Sequence, residues 1–98
     1  MLLKIIKTYR DVVAICDKEL IGKKFEEEGF QLDVKNNFFN GDEVSEEEAV
    51  EIMRNKRAED ATFNIIGKKA VKAALIAGVI SENEVGSIRN VPFALVLI

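Results

Sequence analysis

The pattern of apolar and polar positions in the first third of the chain is typical of strands. Residues 2 to 9, LLKIIKTY, and residues 12 to 16, VVAIC, each place β-forming side chains on both faces and are predicted to be strands. Only Arg10 and Asp11 lie between them, so we expect an antiparallel hairpin. Residues 30 to 34, FQLDV, alternate cleanly and predict a third, half-buried strand.

The segment between the second and third predicted strands is interrupted by glycine. Asp17 is a suitable helix cap, but Gly22 breaks the pattern, so only a short helical turn over residues 17 to 21 is expected. After the third strand, NNFFNGDEV is expected to be a turn-rich loop anchored by Phe38 and Phe39.

A helix over residues 46 to 57 has the strongest local signature. Ser45 and Glu48 have the spacing of a capping box, and Val44 and Ala49 that of the accompanying hydrophobic staple. The run of glutamates in VSEEEAVE is then explained by the positive end of the helix dipole.

A second helix is predicted over residues 68 to 77, with Gly67 before it and Gly78 ending it. SENEVGS is expected to be a polar loop, and VPFALVLI, residues 91 to 98, the final strand. Because that strand is almost wholly apolar, we expect it to lie inside a sheet or to be covered on both faces. Pro92 stands near its start, where a missing N–H costs least.

The change of period from two to 3.6 and back predicts an α+β fold, with residues 1 to 98 forming a single domain. The chain is 48% apolar, enough for one core without disulfides. Its single cysteine fits a reducing cytoplasm, and no apolar run approaches the ~20 residues that span a membrane. A net charge of -3 argues against general binding of polyanions, so any contact with nucleic acid must be local.

The composition removes most familiar catalytic chemistry. The chain has no histidine, so it lacks the usual general base and the commonest metal ligand, and one cysteine cannot build a thiolate zinc site. Asp17 would raise the pKa of its neighbour Cys16, which is the wrong direction for a nucleophile. We therefore expect no metal, no cofactor and no catalytic residue. An enzyme that uses carboxylates and a lysine is the weakest alternative, and nothing selects a pair among Asp17, Glu19, Asp33, Asp42 and Glu43.

The start of the second helix carries the local basic feature. If Gly67 lets a ligand approach the backbone, free N–H groups of the first turn could join Lys68, Lys69 and Lys72 in holding a phosphate. The alternative is that these lysines only form a solvent-exposed face of the helix. Their positive charges would then interact unfavourably, at a small cost in free energy, with the positive end of the helix dipole. The segment also resembles half of a helix-hairpin-helix motif, but it has one glycine where that motif normally has two.

The phenylalanines allow two interpretations. They could form a platform on which bases of single-stranded nucleic acid stack, or they could be core residues of a small domain. The six positions are Phe25, Phe30, Phe38, Phe39, Phe63 and Phe93.

Three stretches, VAICDKELIGKKF, FNIIGKKAV and VPFALV, make the whole chain resemble the small archaeal proteins of domain-of-unknown-function family four-twenty-four. The residues that carry the resemblance are Ala14, Cys16, Asp17, Leu20, Gly22, Lys23, Asn64, Gly67 and Pro92. In that family the position after the proline is often histidine, whereas here it is Phe93, so a histidine-dependent activity would be missing. The resemblance implies a cytoplasmic archaeal protein and supplies no mechanism.

The interpretation that these features favour is a non-enzymatic accessory factor that binds RNA or the ribosome in archaeal information processing. The alternative is a protein-interaction module that self-associates through an uncovered apolar strand or helix face. Strand addition across a two-fold axis, giving a homodimer, would satisfy the edge of the C-terminal strand.

Overall fold

A mixed sheet with helices on one face and a separate hairpin on the other organises the molecule. The computed structural model describes residues 1–97. The strands in that part of the chain are β1 Leu2–Ile6, β2 Val12–Cys16, β3 Lys24–Glu27, β4 Phe30–Asp33, β5 Asp42–Glu43, β6 Thr62–Ile66, β7 Gly86–Ile88 and β8 Val91–Val96. The helices are α1 Asn36–Phe39, α2 Glu46–Ala58 and α3 Lys68–Ala77, and 3₁₀ turns cover Lys18–Leu20 and Glu82–Glu84.

The large sheet has the order β5-β1-β2-β6-β8-β7. Its neighbours pair antiparallel except for β2 and β6, which run parallel with Val12 opposite Thr62 and Cys16 opposite Ile66. A parallel pair needs a long crossover, and here the chain between β2 and β6 contains the β3–β4 hairpin, α1, β5 and α2. The carboxyl ends of β2 and β6 therefore lie side by side at the same end of the sheet.

The locally encoded elements agree with the sequence predictions, and the α+β class is confirmed. β1 and β2 form the expected hairpin, although β1 ends at Ile6 and not at residue 9. At the start of α2 the capping box is complete, with both bonds between Ser45 and Glu48 made. Gly78 ends α3 in the left-handed conformation.

Several short elements were missed. β6 was not predicted because TFNII is short and directly precedes a helix, so its apolar residues merge into the helical pattern. β3 and β7 carry too few apolar residues to stand out as strands, and β7 begins within the expected polar loop. The expected loop around Phe38 and Phe39 contains α1 and β5.

Apolar side chains from the two faces of the sheet form two cores. Leu3, Val13, Ile15 and Ile65 point to the helices, where they pack with buried residues of α2 and α3. The opposite face is covered at one end by the hairpin and α1, and this second core contains Leu2, Ala14, Cys16, Leu32, Val34, Phe39, Ile66 and Ile88.

β8 satisfies the first of the two predicted alternatives, because it lies inside the sheet between β6 and β7. It is not covered on both faces. Ala94 is buried against the helices, whereas the side chains of Leu95 and Leu97 are 54% and 71% exposed. The predicted end of this strand at residue 98 lies outside the described residues.

Candidate functional site

Asp17 and Gly67 meet at the end of the sheet where the two parallel strands finish. Asp17 directly follows β2 and Gly67 directly follows β6, and the Asp17 N–H donates to the Ile66 carbonyl over 3.0 Å. The Asp17 side chain is buried, with 4% of the residue exposed. Its carboxylate accepts hydrogen bonds from the backbone N–H groups of Lys69, at 3.2 Å, and Ala70, at 2.9 Å. Asp17, which follows the strand next to β6, thus caps α3.

This arrangement corrects the predicted role of Asp17. The sequence suggested that it caps its own short helix, but its side chain makes no capping bond to the 3₁₀ turn that follows. A carboxylate that accepts bonds from first-turn N–H groups also supplies negative charge at the positive end of the helix dipole. That charge offsets the unfavourable placement of Lys68 and Lys69 beside the same helix end.

Gly67 is required by the closeness of Asp17. Its φ of +113° is one that residues with a side chain rarely adopt. A Cβ atom added there would lie 2.4 Å from Cγ of Asp17, well inside van der Waals contact. The close approach that the sequence suggested at Gly67 is therefore made by a carboxylate of the chain itself.

The backbone part of the predicted phosphate site is partly occupied. Two of the first-turn N–H groups that it would use, those of Lys69 and Ala70, already bind Asp17. The side chains of Lys68, Lys69 and Lys72 are exposed, and the Lys72 ammonium lies 3.6 Å from the Glu46 carboxylate. Anion binding by these lysine side chains alone stays a prediction.

Pro92 belongs to the same junction. The Gly67 N–H donates to the Pro92 carbonyl over 2.8 Å, while the Gly67 carbonyl accepts from the Val71 N–H within α3 over 2.9 Å. A residue other than proline at position 92 would direct its N–H toward that same Gly67 carbonyl, which is already engaged. This explains how a proline fits between two neighbouring strands.

A cleft of about 290 Å³ opens beside this junction. It is lined by Asp17, Glu19, Leu20, Gly67, Lys68, Asn90, Val91 and Pro92. The Asp17 carboxylate is occupied by α3, and the side chains of Glu19 and Lys68 are exposed. The one buried ionisable side chain that lines the cleft, Asp17, is thus already bound by the backbone of α3.

Cys16 lies under the same junction and is fully buried. Burial raises the pKa of its thiol to about 11, with a smaller contribution from the charge of Asp17. A thiol with this pKa is almost wholly protonated at neutral pH and is a poor nucleophile.

The other positions of the family resemblance lie elsewhere. Gly22, with a φ of +80°, donates its N–H to the Val34 carbonyl, and Lys23 accepts from the Val34 N–H, so both anchor the base of the β3–β4 hairpin. Asn64 lies on the sheet face that the helices do not cover, opposite Leu95 of β8. The structure thus brings Cys16, Asp17, Gly67 and Pro92 together and separates them from Gly22, Lys23 and Asn64.

The six phenylalanines do not form a stacking platform. Phe63 is buried among the helices, and Phe25, Phe38, Phe39 and Phe93 pack in or against the second core. Phe30 is 71% exposed, in β4. The core interpretation is therefore correct for all but one of them.

The C-terminal strand, which the sequence indicated as a surface for self-association, is only partly paired along β8. The pairing of β7 with β8 ends at Gly86 opposite Phe93, whereas β6 pairs with β8 from Phe93 to Val96. We call residues 94–97, on the side away from β6, the free edge of β8. No residue from Val91 to Leu97 is charged.

The sheet face beside this edge is only partly covered. A depression of about 180 Å³ on it is lined by Leu32, Asn64, Ile65, Ile66, Phe93, Ala94 and Leu95. The hairpin covers the end of the face that contains Ile66, and both Ile66 and Leu32 of the hairpin are buried. Beyond it the sheet is open, and we call the part around Asn64, Leu95 and Leu97 the open face.

Within residues 1–97, no group of three or more carboxylate, cysteine or histidine side chains could hold a metal ion. In the same part of the chain, the helices are too short or too polar to cross a bilayer.

The fold and its surfaces define a small α+β domain. Its helix α3 is capped by a carboxylate at the carboxyl end of the parallel strands, and β8 has an apolar free edge. The chain belongs to the family described as protein of unknown function (DUF424), whose model matches residues 6–98. A crystal structure of an uncharacterized conserved protein from Methanopyrus kandleri is similar, with 27% identity and a TM-score of 0.85. The similarity covers 96% of this chain and 87% of that one. No curated protein matches the chain.

Proposed function

We propose that this protein is an accessory protein-interaction module that self-associates through the free edge of β8. The observation that carries the proposal is that the β7 pairing stops at Phe93 while the apolar strand continues. Leu95 and Leu97 then stand exposed beside unpaired backbone. An edge of this kind normally carries a lysine, a proline or a bulge that prevents pairing with another chain, and residues 94–97 have no charged residue and no proline.

The expected association is weak. Burying one exposed leucine side chain completely contributes about 1.5–3 kcal/mol, while association costs roughly 4–15 kcal/mol in lost freedom of motion. A four-residue edge also buries far less than the ~800 Å² per partner of a standard interface. Four leucines, two from each copy, contribute at most about 12 kcal/mol, and association costs at least about 4 kcal/mol. We therefore expect a net free energy no more favourable than about -8 kcal/mol, which corresponds to a dissociation constant no tighter than roughly micromolar.

Sedimentation velocity over a range of protein concentrations tests the proposal. The wild type should shift from the 11.0 kDa monomer toward twice that mass as concentration rises, and Leu97→Lys should stay monomeric. Phe30→Lys is the matched control, because Phe30 and Leu97 are both 71% exposed. A wild type that stays monomeric to millimolar concentration, or equal association of all three proteins, would contradict the proposal.

RNA binding by the lysines of α3 is a second candidate, supported by the exposure of Lys68, Lys69 and Lys72 on one side of the helix. Without the backbone N–H groups, binding would be weak, independent of sequence and steeply reduced by salt.

The test of this second candidate is titration of single-stranded and structured RNA, at two salt concentrations, with the wild type and with a variant that has all three lysines changed to alanine. A variant with the exposed Lys23, Lys24 and Lys35 changed to alanine has the same net charge and is the control. Equal loss in both variants, or no binding at low salt, would eliminate the site.

A further inference from the structure

The direction of the backbone groups along β8 follows from one hydrogen bond. The Gly67 N–H donates to the Pro92 carbonyl, so position 92 is hydrogen-bonded toward the β6 side. In an antiparallel ladder, hydrogen-bonded and non-hydrogen-bonded positions alternate. Ala94 and Val96 therefore also direct their N–H and C=O groups toward β6.

The intervening positions direct their backbone groups to the other side of β8. Val91 and Phe93 meet β7 there, opposite Ile88 and Gly86. Leu95 and Leu97 have the same orientation, but they lie past the end of the β7 pairing. The groups that an added strand can bind are thus the N–H and C=O of these two leucines, spaced two residues apart.

We infer that a second copy of this chain pairs antiparallel with β8 across a two-fold axis, with Leu95 opposite Leu97 of the second copy and Val96 opposite Val96. This inference rests on the proposed self-association and specifies its register. In this register both leucines of each copy form hydrogen-bonded pairs, so two such pairs are made. The alternative register places Leu95 opposite Leu95 and Leu97 opposite Phe93 of the second copy. Because Phe93 is already paired with β7, that register makes only one hydrogen-bonded pair.

The side chains agree with the same register. Residues directly opposite on antiparallel strands share a face of the sheet, so Leu95 and Leu97 of both copies would lie together on the open face. A register shifted by one residue would place leucines opposite residues of the helix-facing side. Because residues 91–97 carry no charge, the two identical segments meet without repulsion between like charges.

Disulfide trapping tests the register. Val96→Cys places two thiols at a non-hydrogen-bonded pair, where the Cα atoms are about 4.5 Å apart, within the range that a disulfide spans. Oxidised glutathione accepts the two electrons and two protons that the thiols lose as the S–S bond forms. Leu95→Cys is the control, since in this register the two copies of position 95 are about 8 Å apart, beyond that range. The native Cys16 is buried and should give no cross-link in the wild type.

The expected result is a cross-linked dimer from Val96→Cys and none from Leu95→Cys or wild type. A cross-link from Leu95→Cys without one from Val96→Cys would overturn the register and leave the proposed self-association standing. No cross-link from either variant, in a protein that sediments as a dimer, would overturn pairing through β8. A protein that sediments as a monomer at every concentration would overturn the proposed function itself.

Discussion

At the scale of single residues, the contact between Asp17 and the start of α3 explains the basic helix end. A buried carboxylate is costly unless hydrogen bonds compensate it, and Asp17 receives two from the backbone of α3. The same contact makes a side chain at position 67 impossible without displacement of Asp17. The contact links residues more than fifty positions apart, so no local sequence signal could predict it.

Replacement of Asp17 should therefore destabilise the fold. Asp17→Ala leaves one buried N–H group, that of Ala70, and one part-buried N–H group, that of Lys69, without acceptors. Each costs about 1–3 kcal/mol, so we expect a loss of about 2–5 kcal/mol. Asp17→Asn retains one acceptor oxygen and should cost less. Urea unfolding monitored by circular dichroism measures the free energies, with the exposed Glu19→Ala as control. A loss below about 0.5 kcal/mol for Asp17→Ala would show that the cap contributes nothing, because that is the range of ordinary surface substitutions.

At the scale of elements, the two long helices could be predicted and the short strands could not. α2 and α3 have signals contained within their own sequence: a capping box, a terminal glycine and a period of 3.6. β6 becomes recognisable only through its pairing with β2 and β8. β8 was predicted as a strand, but its two faces are equally apolar, so the sequence could not indicate which side chains stay exposed.

The capping box of α2 should make stability depend on pH. The Ser45 N–H donates to the Glu48 carboxylate over 2.9 Å, and this bond, with a smaller contribution from the Ser45 hydroxyl, lowers the pKa of Glu48 below its ordinary 4.5. A lowered pKa means that the stabilisation is complete above about pH 4.5 and is lost as pH falls through the folded-state pKa.

Thermal unfolding between pH 7 and pH 3 measures this effect. The melting temperature of Glu48→Gln should fall less over the acidic range than that of the wild type, because glutamine has no charge to lose. Glu47→Gln, in the same first turn, is the control. Identical pH dependence in the wild type and Glu48→Gln would refute the contribution of this carboxylate.

At the scale of the whole molecule, one sheet face is closed and the other is half open. The helices seal the first face, and the hairpin with α1 covers only the part of the second that contains Leu2, Cys16 and Ile66. What remains is an uncharged strand with its leucines exposed and its outer backbone groups beyond the reach of β7. We propose that the protein functions through that edge.

Amide hydrogen exchange at Leu95 and Val96, measured as a function of protein concentration, tests this account most directly. In dilute protein the Leu95 amide should exchange quickly, because its N–H points to the free edge, and the Val96 amide slowly, because its N–H binds β6. At concentrations where the mass doubles, Leu95 exchange should slow by about tenfold or more while Val96 is unchanged. A rate at Leu95 that does not depend on concentration would contradict strand pairing through β8.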